Sequence, residues 1–288
     1  MKAFITGARG QLGLALQRLA PPGIEVVPFG RADLDISDRD AVEATLRAGA
    51  DALINAAAYT DVEGAERNAA DAFRINSEGP ALLANACAAH RIRLVHVSTD
   101  FVFDGQKQTP YQPSDEPHPL NVYGASKLDG ERRVLESLPS ACIVRTSWVH
   151  SADSANFVTK IVQRMRSGDP LRVVVDEVGS PTATLSLAPA LWACATQSIH
   201  GIHHWTDAGS VDRFDYACAI GRLAVEYGLI AAVPLIHRAR AAERSGGAKR
   251  PAYSVLAIGA TEAALGMRAR PWLDGLRLTM HDLRNRKT

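Results

Sequence analysis

Apolar and polar positions along the first 150 residues follow two alternating periods. KAFIT (2–6), IEVVPFG (24–30), DALINAAA (51–58), RLVHVST (93–99) and ACIVRTSWV (141–149) are short apolar runs, several rich in β-branched residues, and they predict strands. Helical spacing separates them in QLGLALQRLA (11–20), DRDAVEATLRAG (38–49) and AADAFRINSEGPALLANACAAH (69–90). Ser37 is the expected N-cap of the second helix, with Asp40 three residues on as an acidic capping box. Gly79-Pro80 is expected to kink or break the third. Strands alternating with helices imply parallel strands joined by crossovers, hence an α/β doubly wound sheet. Later, VTKIVQRMRSG and DYACAIGRLAVEYG predict helices, and LRVVVDEVG and GIHHWT predict strands. No clean linker divides the chain, so a second lobe is expected to be woven from late segments.

Composition narrows the function classes. The 288 residues are 47% hydrophobic and 22% charged, with a formal net charge of +1. Such a balance gives no general attraction to nucleic acid or to an anionic membrane surface. Cys87, Cys142, Cys194 and Cys218 are widely spaced and form no CxxC, so neither a disulfide framework nor a cysteine metal site is expected. No apolar run approaches the ~18 residues of a membrane span. MKAFITGARG leads directly into the first strand, and a cytoplasmic location is expected.

The most informative stretch is ITGARGQLG. It sets Gly7, Gly10 and Gly13 between the first strand and the first helix. Gly7 permits a tight turn, Gly10 lets the backbone approach a pyrophosphate, and Gly13 lets helix and strand pack closely. The helix N-terminus that follows offers N–H groups and a positive dipole to phosphates. The predicted ligand is a dinucleotide. The second strand ends FGRADLDISD, where Arg31 can accommodate a 2′-phosphate and Asp33 and Asp35 suit a free ribose or the adenine. NADP(H) is favoured and NAD(H) remains possible. After the third strand, Ala56, Ala57 and Ala58 leave room for a flat cofactor against the backbone, or serve plain helix–sheet packing.

Catalytic candidates follow the fourth and precede the fifth strand. Ser98, Thr99 and Asp100 fall at a strand end, where ligands of such sheets sit. Tyr123 and Lys127 lie four residues apart, so on a helix they share one face. Moving a tyrosine from ~10 to ~7 requires about 4 kcal/mol. An ammonium at ~5 Å, at an effective dielectric of ~20, supplies roughly 3 kcal/mol, and an oxidised nicotinamide nearby can supply the rest, while desolvation opposes both. Tyr123 is therefore expected to donate a proton, Lys127 to tune it and hold a nicotinamide ribose, and Thr99 to polarise a substrate carbonyl.

Together the glycine pattern, NAAAYT, STD and Tyr123-x-x-x-Lys127 resemble the extended short-chain dehydrogenase/reductases. More narrowly, GQLG, NAAAYTDVEGAE, STDFVFDG, PLNVYGASKLDGE, RTSWV, NFV, DEVGSPT, GIHHWTDAG and RPAYSVL are similar, in order and spacing, to the dTDP-4-dehydrorhamnose reductase family. That resemblance implies a Rossmann-type domain with a smaller C-terminal sugar-nucleotide lobe. The expected division is 1–150 for the dinucleotide domain, rejoined by part of 183–206, with 151–182 and 207–288 forming the lobe. It further implies NAD(P)H-dependent reduction of the C4 ketone of dTDP-6-deoxy-L-lyxo-4-hexulose to dTDP-L-rhamnose. Gly10, Gln11, Leu12, Asp35, Ile36, Ala57, Ala58, Tyr123 and Lys127 would contact cofactor. Thr99, Asp100 and Trp148 would contact the sugar nucleotide.

Trp148, at a strand end, suits stacking on a sugar face. Asn156 is a further substrate candidate, and Arg250 in AKRPAY suits a diphosphate. Two departures from the family pattern stand out. Leu14-Ala15-Leu16 and TATLSLA lack the acids with which some members bind a metal at a dimer contact, so no metal is expected. ERSGGAKRPAY lacks the usual proline-rich approach, so a mobile substrate loop is expected. A monomer and a homodimer both remain open, as do three other functions. These are a reductase of another 4-keto sugar, an epimerase, and a non-catalytic NADP-binding subunit like the methionine adenosyltransferase beta subunit.

Overall fold

The computed structural model describes residues 1–243 and 246–286. The first half runs β1 (Lys2–Thr6), α1 (Gln11–Arg18), β2 (Glu25–Phe29), α2 (Arg39–Leu46), β3 (Ala52–Asn55), α3 (Val62–Arg67), α4 (Ala69–Phe73), α5 (Gly79–His90), β4 (Arg93–Thr99), α6 (Val122–Ser137) and β5 (Cys142–Thr146). The second runs β6 (Val149–His150), α7 (Phe157–Arg166), β7 (Leu171–Val174), β8 (Val178–Gly179), β9 (Thr182–Ala183), α8 (Thr184–Thr196), β10 (Gly201–His204), β11 (Val211–Asp212), α9 (Arg213–Glu226), β12 (Ile236–Ala239), α10 (Gly259–Leu265) and α11 (Trp272–Asn285).

Six strands form one parallel sheet in the order β10-β5-β4-β3-β1-β2. The doubly wound α/β fold read from the alternation is the one found. Alternate strand residues face opposite layers. Ala3, Ile5, Ile54 and Val144 pack on α1 and α8 through Leu16, Leu187 and Leu191. Phe4, Leu53, Leu94 and Ile143 pack on α2, α5 and α6 through Leu46, Leu83 and Val134. Pro28 is tolerated because β2 is an edge strand. GIHHWT supplies β10, which joins β5 at the opposite edge. A separate core gathers α7, α9 and α11 around Leu171 of β7.

Several boundaries differ from the sequence reading. Asp38, not Ser37, caps α2; its carboxylate accepts from the N–H groups of Asp40 (3.0 Å) and Ala41 (3.1 Å). The Ser37 hydroxyl instead donates to Asp35 at 2.7 Å. The long helix is interrupted before Gly79, by a wide π turn at Arg74–Glu78. Pro80 has no N–H for the carbonyl of Asn76, four residues back, and the wide turn absorbs that loss. DALINAAA ends as a strand at Asn55. ACIVRTSWV breaks at Trp148, whose φ of 46° lies in the left-handed region. LRVVVDEVG breaks into β7 and β8.

Arg244 and Ser245 of the ERSGGAKRPAY stretch lie outside the described residues. Just beyond them, the N–H of Ala248 donates to Glu63 at 2.9 Å. No helix among the described residues is long and apolar enough to cross a membrane.

Candidate functional site

A cavity of about 1050 Å³ opens beyond the carboxyl ends of the central strands. It is lined by Gly7, Gly10, Gln11, Leu12 and Gly13, by Arg31, Asp35 and Ile36, and by Ala56, Ala57 and Ala58. Thr99, Asp100, Tyr123, Lys127, Trp148, Asn156 and Arg250 complete the same wall. Of the cofactor, catalytic and substrate candidates read from the sequence, all but Asp33 thus reach one cavity, although the segments span almost 250 positions.

At one end the wall is mostly backbone. Gly7 has φ 69°, and a Cβ there would lie 2.6 Å from the Ala56 carbonyl. A Cβ on Gly13 would lie 2.3 Å from the Gly7 oxygen. The loop is therefore folded tightly enough to exclude side chains. Gly10 begins α1 without a side-chain cap, and the first turn carries no acid. Free N–H groups and an uncompensated helix dipole face the cavity there, which fits a dinucleotide diphosphate. Asn76, inside the π turn, fixes the adjoining loop. Its side chain accepts from the N–H of Tyr59 (2.8 Å) and donates to the Tyr59 carbonyl (3.0 Å) and the Ser126 hydroxyl (3.0 Å).

At the end of β2, Arg31 is exposed on the rim. The carboxylate of Asp35 accepts from the Ser37 hydroxyl and N–H, which hold its pKa below the usual range. Arg9, missed in the sequence reading, also lines the rim and pairs with Asp33 at 3.4 Å. Its signal was the arginine inside GARG.

Between the two ends stand the reactive side chains. Asn121 caps α6 by accepting from the Gly124 N–H at 2.7 Å. A Cβ on Gly124 would sit 2.2 Å from the Phe101 carbonyl, so the helix start lies directly on the turn that follows Thr99. That contact brings Tyr123 to Thr99. One turn beyond Lys127, Glu131 makes a fully buried bidentate pair with Arg145 of β5, at 2.6 Å for its closest contact. Ser98 of β4 donates to the same carboxylate. Burying these charges costs much of what their attraction returns, so the pair is better read as fixing the register of α6 on the sheet.

Burial pushes the Tyr123 hydroxyl up to about 12, against a downward pull from its hydrogen bond with Thr99; Asp100 raises it further. The expected lowering by Lys127 is not found. The ammonium is drawn to the Val97 carbonyl, to which it donates at 2.7 Å. Burial lowers Lys127 to about 8, opposed by Glu131. Below it runs a buried polar row. The Thr6 hydroxyl donates to Asn55 Oδ1 at 2.7 Å, Asn55 Nδ2 lies 2.9 Å from His96 Nδ1, and His96 Nε2 lies 3.4 Å from Lys127 Nζ. Asn55 Oδ1 also accepts from Ala57, so its amide donates to His96 Nδ1 and the imidazole proton rests on Nε2. His96 is held neutral, mainly by burial and then by Lys127.

The far end is built from side chains. Asp100 is buried; burial raises it to about 6 against hydrogen bonds from Ser254 and Thr99, and its Oδ2 has no hydrogen-bond partner. Trp148 lies against Gly179 and carries the Arg213 guanidinium on its ring, 3.3 Å from the centroid. The face expected to stack on a sugar is therefore covered by Arg213 at that point. The amide of Asn156 caps α7 and also donates to the carbonyls of Ser151 (2.7 Å) and Ser154 (3.0 Å), so its first task is local. Arg250 is paired with Glu63 at 2.6 Å. Arg213 was also missed. It reads in the sequence as one more basic residue at a helix start, and only packing brings it to the cavity.

Matches with known proteins agree with this geometry. A family model described as "RmlD substrate binding domain" matches residues 1–285. A dTDP-4-dehydrorhamnose reductase of Aggregatibacter actinomycetemcomitans is 37% identical over 285 residues, covering 96% of this chain and 97% of that one. A dTDP-4-keto-6-deoxy-D-glucose reductase of Streptomyces niveus is 37% identical over 277 residues, covering 95% and 94%. The crystal structure of dTDP-4-dehydrorhamnose reductase from Bacillus anthracis in complex with NADP superposes with a TM-score of 0.91 at 31% identity, over 98% of this chain and 99% of that one. With its glycine cradle, its Tyr-Lys helix and a match from end to end, the chain belongs to the RmlD substrate binding domain family.

Proposed function

We propose that this chain is an NADPH-dependent reductase of dTDP-4-dehydro-6-deoxy sugars, converting the C4 ketone of dTDP-6-deoxy-L-lyxo-4-hexulose to the alcohol of dTDP-L-rhamnose. One observation carries the reading: Thr99, Tyr123 and Lys127 meet in the cavity that the glycine loop opens. Gly7, Gly10, Gln11, Leu12 and Gly13 would hold the cofactor's diphosphate, Ala56 to Ala58 its flat rings, and Arg31 its 2′-phosphate. Asp35 and Ile36 would flank the adenosine. When bound, NADPH supplies a hydride to C4.

The chain's own residues handle the rest. The Thr99 hydroxyl hydrogen-bonds the ketone oxygen and fixes its position. Tyr123 gives its phenolic proton to that oxygen as negative charge develops on it. A tyrosine raised to about 12 is fully protonated at neutral pH, which suits an acid working in the reductive direction. The Lys127 ammonium holds the nicotinamide ribose and favours the tyrosinate left behind. Asp100, Trp148, Asn156 and Arg250 line the region assigned to the sugar nucleotide. Residues 151–182 and 207–288 would form that lobe against the 1–150 domain, which part of 183–206 would rejoin. Assembly and activity are proposed to need no divalent metal, so a chelator should alter neither.

A second reading, reduction of a dTDP-4-keto-6-deoxy-D-glucose, is favoured by the equal identity to the Streptomyces niveus enzyme. Incubation with NADPH and each 4-keto sugar nucleotide, followed by product identification, decides between them. Turnover of neither ketone, with NADPH left unconsumed, would reject both and leave the non-catalytic binding role.

A further inference from the structure

We propose that Arg213, rather than Arg250, is the principal ligand for the diphosphate of the sugar-nucleotide substrate. The inference rests on the substrate class assigned above and adds a residue to it. Arg213 begins α9 and lines the cavity. Its guanidinium lies over Trp148 at 3.3 Å and over Phe157 at 4.8 Å, measured to the ring centroids. Two aromatic surfaces thus fix the plane of the cation before any ligand arrives. Its nearest carboxylate is Glu177, at 3.7 Å from Nε, too far for a hydrogen bond. Among the described residues its side chain donates no hydrogen bond. The Nη donors of a planar, ordered cation in the cavity wall are therefore unspent.

Arg250 presents the opposite case. It shares the cavity, but its Nη2 is engaged by Glu63 at 2.6 Å. The two guanidiniums also act on each other, since Arg250 is among the charges that disfavour the charged form of Arg213. Like charges held near each other in one wall are relieved by an anion between them. A diphosphate carries the charge and the acceptor oxygens that a guanidinium fork matches. Arg213 also faces Asp100, so the same cation borders the reacting end. Contact with Arg213 would then set the distance from the diphosphate to C4.

Calorimetric titration of dTDP into the wild-type chain and into Arg213→Gln, Arg213→Lys and Arg250→Gln tests this. Thymidine and NADPH are titrated in parallel. Loss of a charged hydrogen bond predicts a rise of about 10- to 100-fold in the dTDP Kd for Arg213→Gln. Arg213→Lys should recover part of it, and Arg250→Gln should lose less. Thymidine, which lacks the diphosphate, and NADPH, held by the glycine loop, should bind all four proteins alike. Wild-type dTDP affinity in Arg213→Gln, or a larger loss in Arg250→Gln, overturns the proposal and leaves the substrate class standing. Parallel loss of thymidine and NADPH in Arg213→Gln overturns it too, because the residue would then be structural. A wild-type chain that ignores dTDP overturns the substrate class and this inference together.

Discussion

The two ends of the cavity are made in different ways. The end under α1 is mostly backbone from nearly consecutive residues, shaped by what glycine leaves out. The other end is side chain, brought from Asp100, Trp148, Arg213 and Arg250 on four separate segments. Backbone recognition has little to vary, since an atom added at Gly7 or Gly13 collides with neighbouring backbone. A wall of side chains is instead set by pairings between them, such as Arg250 with Glu63 and Arg213 with Trp148, which a single substitution would alter. Trp148 also holds a left-handed φ of 46°, costly for a bulky residue and sustained only where the surroundings enforce it. On the proposed assignment, a rigid cradle for the cofactor and a variable wall for the sugar nucleotide would thus be separated in space.

Tyr123 stands where the ends meet, and its loss should have the largest effect. Tyr123→Phe is expected to reduce turnover by about 10²-fold or more while NADPH binding stays nearly intact. Near-normal turnover would remove Tyr123 from the chemistry and leave the cavity as a binding site. The pH profile probes the same junction. Burial lowers Lys127 from 10.5 to about 8, so its ammonium is lost as pH rises through that value. The quantity kcat/KM should then fall about tenfold per pH unit on the alkaline side. Tyr123, at about 12, contributes nothing to this limb. A profile flat to pH 10 would show either that Lys127 is not needed charged or that burial does not lower it to about 8, and Lys127→Met, active only in the first case, separates the two.

The same division explains what the sequence disclosed. Gly7 and Gly13 could be read because backbone geometry restricts which residues are allowed there. The strands could be read because alternate positions serve two cores, as Phe4 between Ala3 and Ile5 illustrates. The N-cap was off by one residue because Asp35, two positions back, captures both the hydroxyl and the N–H of Ser37 and leaves the cap to Asp38, a local competition that the capping pattern alone does not weigh. Arg213 was missed for a stronger reason. Its meaning lies in Trp148 and Phe157, more than fifty positions away. For Tyr123, spacing reports which residues are neighbours, and the opposing desolvation expected from the sequence proves the larger effect on the shift.

Gly13→Ala attacks the backbone end alone. The new methyl would lie 2.3 Å from the Gly7 oxygen, and overpacking of this kind costs about 1–3 kcal/mol. If the strain is relieved by opening the loop, NADPH affinity should fall by roughly tenfold, since about 1.4 kcal/mol corresponds to a factor of ten. The dTDP affinity should hold. A variant that loses dTDP and NADPH equally would show that the ends are coupled, and the separation argued above would fail.

The smallest expected effect belongs to the rim. Arg31 is exposed, and Arg9 nearby is already paired with Asp33 at 3.4 Å. A solvated arginine meeting a 2′-phosphate gains little from Coulomb attraction at high dielectric, and salt screens it further. Arg31→Ala should therefore weaken NADPH by only about two- to fivefold at low salt. NADH, without the 2′-phosphate, should bind as before, and raising the ionic strength should shrink the difference. Equal losses for both cofactors would mean that Arg31 supports the β2 loop rather than reading the phosphate. An NADPH preference that survives the substitution would transfer the task to Arg9, and Arg9→Ala in the Arg31→Ala background would then abolish it. If either arginine reads the 2′-phosphate, the discrimination rests on side chains at an otherwise backbone-built end, and the cofactor choice of the chain is open to change there.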